Sequence, residues 1–107
     1  MAEIITTTTD TIPGKKVTKV LGIVKGNTIR ARHIGRDIAA GLKNIVGGEI
    51  KSYTQMISQS REEAFNRMVN DGQDQGADAI LNVRFVTAMV MQGAAEILAY
   101  GTAVKLK

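Results

Sequence analysis

The feature that most constrains the fold is a long amphipathic helix in the second half of the chain. Apolar residues recur every three or four positions on one side, whereas Glu63 and Arg67, one turn apart, lie on the exposed surface. The helix is expected to run from residue 50 to about Gln75, and Gly76 is expected to end it. Its apolar stripe consists of Ile50, Tyr53, Ile57, Ala64, Phe65, Met68 and Val69.

A shorter helix is predicted just before the long one, and the glycine pair Gly47-Gly48 separates the two. If the short helix packs away from the long one, the chain turns sharply at residue 47, and glycine avoids a left-handed strain of about 1 kcal/mol. Alternatively, the pair is an ordinary helix end with no role in assembly. The apolar residues of the short helix are Ile34, Ile38, Leu42, Ile45 and Val46.

Residues rich in β-branched side chains precede these helices. Residues 3–9 (EIITTTT) predict a strand that ends in the turn DTIPGK. Residues 17–31 predict either a hairpin or one long bulged strand, because Gly22 and then Gly26-Asn27 interrupt the β-rich pattern.

Two further strands are predicted after the long helix, at residues 77–88 and 95–106, with a turn at Gln92-Gly93 between them. Within the last strand, Gly101 marks a bulge or a close contact. Strands on both sides of a helical middle predict an α+β fold, in which one antiparallel sheet packs on the long helix.

The 107 residues are expected to form a single domain with a thin core. A chain of this size buries only about 60 to 65% of the surface that its unfolded form exposes. Two Phe and two Tyr are the only aromatic residues, so aliphatic side chains must supply most of the burial. A partner subunit would add apolar area, which favours oligomers.

The absence of cysteine excludes disulfides, thiolate metal sites and thiol nucleophiles. The first ten residues, MAEIITTTTD, have no basic segment followed by an apolar one, so no signal peptide is expected. No apolar run approaches the roughly 20 residues that cross a bilayer, so we expect no membrane partner. A cytoplasmic location is therefore predicted.

The positive charge of the chain lies in its first half. Residues 1–53 contain nine Lys or Arg against four acidic residues, whereas residues 54–107 contain five against six. A basic half can attract an anion, a nucleic acid or an acidic surface, or it can be an ordinary solvated surface. No aromatic residues alternate with the charges to stack bases, which argues against nucleic acid.

Several stretches resemble the YbjQ-like family of small uncharacterised bacterial and archaeal proteins: TTTTDTIPGK, VLGIVKGNTIRARHIGRD, NIVGGEIKSY, REEAFNRM, GADAILNVRF and AEILAYGTAVKL. The resemblance covers essentially the whole chain. It implies a dodecin-like strand-helix-strand-strand core assembled as a ring-shaped homopentamer, with additional short strands that help to join subunits. Heavy-metal binding is among the family labels, which implies a divalent or heavy metal as the cofactor to test.

The metal hypothesis depends on His33 and Asp37, which are four residues apart at the head of the short helix and so share one face. Two ligands are too few, but a ring would repeat them around an axis, and neighbouring subunits would add carboxylates. Against this reading, a chain without thiolates is poorly suited to soft metals. The other reading makes His33 a surface or interface histidine.

Arg30, Arg32 and Arg36 form a candidate anion site where the second strand leads into the short helix, since a helix N-terminus carries free N–H groups. The alternative is a solvated or salt-bridged face. No phosphate loop, catalytic carboxylate pair or serine triad is present, so no catalytic residues are assigned. Candidate oligomer contacts are Val24, Ile29, Gly47 and Gly48.

Three functions follow from the sequence. The first is a non-enzymatic homo-oligomer that binds a small ligand or partner between subunits or serves structurally. The second is a metal-binding protein that uses His33 and carboxylates of neighbouring subunits. The third is an anion or nucleic-acid binder through the three arginines.

Overall fold

The computed structural model describes residues 3–30, 51–91 and 94–107 of the chain. Among them are four β-strands and one α-helix in an α+β arrangement. The strands form a single sheet in the order β1-β3-β4-β2. In sequence order the elements are β1 (Ile5–Thr6), β2 (Val17–Arg30), α1 (Lys51–Asp74), β3 (Ala79–Met91) and β4 (Ala94–Leu106).

The predicted long helix and the last two strands are present within a few residues of their expected limits. After α1 the chain turns at Gly76, whose φ of 77° lies in the left-handed region that glycine tolerates. The predicted short helix, with the glycine pair, lies outside the described residues, as does the turn at Gln92-Gly93.

β2 is one long strand and not a hairpin. It pairs antiparallel with β4 along nearly its whole length. The register shifts between Val20 and Gly22, and Gly22 has a φ of 131°, so this glycine forms the expected bulge. No register shift accompanies Gly26, so that glycine does not break the strand.

The expectation of a purely antiparallel sheet is wrong at β1. This strand has only two residues and runs parallel to β3, with Ile5 opposite Ala79 and Thr6 opposite Ile80. Parallel neighbours require a long connection, which the chain supplies because β2 and α1 both come between β1 and β3 in sequence.

The core lies between α1 and one face of the sheet. Met68, Ile80 and Ile97 come from the helix and from the two central strands, and each is at most 1% exposed. A smaller cluster on the opposite face consists of Ala79, Leu81 and Val104, covered by Ile12 and Leu106. The helix therefore covers one face, while the N-terminal segment covers only one end of the other.

Candidate interaction surfaces

Among the residues whose exposure the structure describes, the exposed large apolar side chains lie on strands and not on the helix. They occur on β1, on β2 and on β3, where each is between 40% and 78% exposed. Apolar side chains gathered along the borders of a sheet are typical of surfaces that pair with other chains. These residues are Ile5, Val17, Val20, Ile23, Ile29, Phe85, Val86 and Met89.

β2 forms one border of the sheet, and α1 runs antiparallel beside it. The backbone N–H of Lys25 donates a hydrogen bond to the Asp71 carboxylate over 3.2 Å. Two residues along the strand, the Asn27 carbonyl accepts a hydrogen bond from the Arg67 guanidinium. Two side chains of the helix thus form hydrogen bonds with backbone groups of β2 that would otherwise be free to pair with a neighbouring strand.

β3 forms the other border, and the N-terminal segment covers only its first part. The Thr7 carbonyl accepts the N–H of Val83 over 3.0 Å, and the Thr9 carbonyl accepts the N–H of Asn82 over the same distance. The Arg84 guanidinium then donates to the Thr8 carbonyl over 2.9 Å. From Arg84 to Met91, the described residues provide no further strand on this side.

Two open cavities lie at the ends of these borders. One, of about 400 Å³, lies between α1 and β3 and is lined by Ser58, Arg61, Glu62, Phe65 and Phe85. It combines two aromatic rings with one charge of each sign. The other, of about 320 Å³, is lined by Glu3, Ile5, Lys15, Ala77, Asp78, Leu106 and Lys107.

Most of the predicted site residues lie outside the described residues. His33 and Asp37 of the metal hypothesis do so, and so do Arg32 and Arg36 of the anion hypothesis. Arg30 is the last residue of β2, where its Cα lies opposite Ala95. The proposed interface glycines, Gly47 and Gly48, are likewise outside the described residues.

The two apolar interface candidates differ in position. Val24 is fully buried in the subunit's own core, which corrects the prediction that it contacts another chain. Ile29 is 57% exposed and stays available. Regular alternation explains the difference, because the two residues are five positions apart in one continuous register after Gly22 and so point to opposite faces of the sheet.

The sequence interpretation missed the border formed by β3. Phe85 and Val86 were assigned to an ordinary strand and Met89 lay just beyond its predicted end, yet each is at least 44% exposed. A signal was present in the run FVTAMVM, which contains no charged residue and is apolar on both faces of the strand. Such runs are typical of strands whose two faces are both buried. A second chain packed against β3 would bury these exposed side chains.

The described residues do not form a metal site by themselves. No group of three or more His, Cys, Asp or Glu side chains comes together among them. The only histidine of the chain is His33, and there is no cysteine. The described part of the chain therefore holds no complete metal site within one chain, and the hypothesis that uses His33, Asp37 and carboxylates of neighbouring subunits stays a prediction.

The YbjQ family model, described as "Putative heavy-metal-binding", matches residues 4–107. The chain belongs to this family. A "UPF0145 protein" of Archaeoglobus fulgidus is 60% identical over 98% of this chain and 97% of its own length. Another, from Methanosarcina acetivorans, is 61% identical over 92% and 93%. These names describe an uncharacterised family.

The fold of this YbjQ family member is also found in a crystal structure. A protein with unknown function from Pediococcus pentosaceus, of the DUF74 family, has a TM-score of 0.63 over 97% of this chain and 98% of its own. Its sequence identity is 16%, so the comparison establishes a shared fold alone. In the part of the chain that the structure describes, no helix is long and apolar enough to cross a membrane.

Proposed function

We propose that this YbjQ family member is a non-enzymatic, cytoplasmic homo-oligomer that binds a small ligand or partner between subunits or serves as a structural scaffold. The number of subunits that we propose is five, arranged as a closed ring. The observation that carries the proposal is the set of exposed apolar side chains on strands at both borders of the sheet. A closed ring removes such borders from water and from uncontrolled pairing.

The order β2, α1, β3 and β4 supports a dodecin-like core for each subunit. The cavity between α1 and β3 supports a ligand site between subunits, because it is open beside the β3 border and contains Phe65 and Phe85. Aromatic rings bury a large apolar area, and the adjacent Arg61 and Glu62 supply polar contacts. A neighbouring chain at this border would close the cavity.

The assembly is tested by light scattering at micromolar protein, where the wild type is expected to give a mass near five chains. Ile23→Lys is expected to shift the mass toward smaller species, because it places a charge on a side chain that is 74% exposed beside the β2 border. Ile29→Lys is expected to do the same.

The matched control is Gln73→Lys, which adds the same charge at an exposed position of α1 and should leave the mass unchanged. Circular dichroism confirms that each variant keeps its helix. A folded wild-type monomer at these concentrations would contradict the oligomer proposal, and equal masses for Ile23→Lys and the control would remove β2 from the interface.

The second candidate function is metal binding, which the description of the YbjQ family favours. Calorimetric titration with zinc, copper or nickel should then show saturable binding that His33→Ala weakens at least tenfold, because the imidazole is the one nitrogen ligand of this kind in the chain. Asp37→Asn is expected to weaken binding less. Unchanged affinity in His33→Ala would exclude this histidine as a ligand.

A further inference from the structure

The helix α1 closes part of the β2 border with its own side chains. Arg67 and Asp71 are four residues apart, which corresponds to about 6 Å along a helix. The backbone groups that they bind belong to Asn27 and Lys25, which are two residues apart, or about 6.8 Å along a strand. The two spacings nearly match, so consecutive turns of the helix reach consecutive outward-facing positions of the strand.

Gly26 lies between Lys25 and Asn27 and allows α1 to approach the strand closely. A Cβ at this position would overlap the carbonyl oxygen of Ala64 and the backbone nitrogen of Met68. Only glycine allows the helix backbone to lie this close to the strand. Thr28 adds a hydrogen bond from its hydroxyl to the Ser60 carbonyl over 3.2 Å. We call the side chains of Asp71 and Arg67 the edge cap.

The edge cap separates the exposed Ile29 from residues 17–23, which form the longer open part of the β2 border. Among the described residues, no backbone or side-chain group is hydrogen-bonded to the outer side of this segment, whose Val17, Val20 and Ile23 are 44 to 74% exposed. The open part of the β3 border is residues 84–91. The two open segments have similar lengths, of seven and eight residues, and lie on opposite sides of the sheet.

We propose that residues 84–91 of one subunit pair as a strand with residues 17–23 of a second copy, and that the edge cap sets where this pairing stops. The inference rests on the proposed homo-oligomer and specifies its interface. Two different surfaces meet, so the contact is heterologous and each subunit uses both borders. Contacts of this type close into rings when the rotation between subunits permits.

The cysteine-free chain allows a direct cross-linking test. Val20→Cys and Val86→Cys each place one thiol on an exposed position of the sheet face opposite α1. We expect a flexible bis-maleimide to give cross-linked dimers from co-refolded mixtures of the two variants, and none from either variant alone. Ile23→Cys serves as a second position on β2 in case the strand register places Val20 out of reach.

Dimers from Val20→Cys alone or from Val86→Cys alone would indicate like-with-like pairing and would overturn the inference. So would an absence of cross-links with both β2 positions in an assembly that light scattering shows to be oligomeric. The latter result would leave the oligomer proposal intact, whereas a monomeric wild type would defeat that proposal itself.

The edge cap is tested with the double variant Asp71→Ala and Arg67→Ala. Without the cap, the β2 border is open along its length, so we expect sedimentation velocity to show larger and more heterogeneous species than the wild type. The control is Asp71→Asn with Arg67→Lys, which keeps an acceptor and a donor at the two positions and should sediment as the wild type. A double alanine variant that stays folded and sediments as the wild type would overturn the role of the cap, even if the wild type were monomeric.

Discussion

Gly26→Ala is expected to lower the free energy of unfolding by about 3 kcal/mol. The added Cβ would overlap the Ala64 carbonyl oxygen and the Met68 nitrogen, and both atoms belong to the backbone of α1. A backbone atom cannot rotate away as the end of a side chain can, so the helix must move off the sheet. That movement would also loosen the packing of Met68, which is fully buried.

Chemical denaturation measures this loss at a fixed subunit concentration, since association adds to apparent stability. The matched control is Gly72→Ala. A Cβ at Gly72 would lie 3.0 Å from the Cδ1 atom of Ile80, which is the flexible end of a side chain. Alanine also favours a helix by about 1 kcal/mol over glycine. We expect the control to be nearly neutral, and equal losses in the two variants would contradict the backbone explanation.

The long periodic segments were the part of the fold that the sequence predicted well. The apolar stripe of the helix spans many turns, so single exceptions do not obscure it, and the helix was expected at residues 50–75 and found at Lys51–Asp74. The last strand was expected at 95–106 and found at Ala94–Leu106. Of the two alternatives predicted for Gly101, a bulge or a close contact, the structure supports the close contact, since a Cβ there would lie 2.6 Å from Ile80.

The pairing of the strands was less accessible from sequence. The β-branched composition of residues 3–9 favours a strand but does not show which strand lies beside it or in which direction, so the parallel partner of β1 was missed. Gly26 was interpreted as an interruption because glycine weakens a strand, whereas it is the contact point of a helix more than 30 residues away in sequence.

The candidate surfaces depended on one local feature, the bulge at Gly22. Before the bulge Val20 is exposed, and after it Ile23 is exposed while Val24 is buried, a spacing that regular alternation does not produce. The sequence interpretation placed candidate oligomer contacts at Val24 and Ile29 of this segment; Val24 is buried, whereas Ile29 is exposed. The edge cap was not predicted, because Asp71 and Arg67 look like ordinary exposed residues of an amphipathic helix.

Each border of the sheet has a closed part, where the chain's own groups bind the strand edge, and an open part. On the β2 border, side chains of α1 bind the strand edge at Lys25 and Asn27, and on the β3 border the N-terminal segment binds it at Asn82 and Val83. The open segment of each border, residues 17–23 and 84–91, carries exposed apolar side chains. Closed and open parts on each border restrict the number of registers in which a second copy can pair. In the assembly that we propose, this restriction would favour one defined pairing between copies.

Ile80 and Gly101 are expected to show strong coupling in a double-mutant cycle. Ile80 is fully buried, so Ile80→Ala should cost about 2 to 5 kcal/mol through lost contacts and a cavity. Gly101→Ala should cost about 1 to 3 kcal/mol, because the added Cβ would lie 2.6 Å from the Cγ2 atom of Ile80 and 3.0 Å from the Leu81 carbonyl oxygen.

In the double variant, the new methyl group of residue 101 enters space that the shortened side chain of residue 80 has left. The combined loss in the free energy of unfolding should therefore be smaller than the sum of the single losses by about 1 to 3 kcal/mol. Met68→Ala is the control partner for Gly101→Ala, since Met68 is equally buried but is not among the nearest neighbours of a Cβ at residue 101, and that pair should be additive within about 0.5 kcal/mol. Equal coupling in the two cycles would show that the loss at Gly101 does not come from its contact with Ile80.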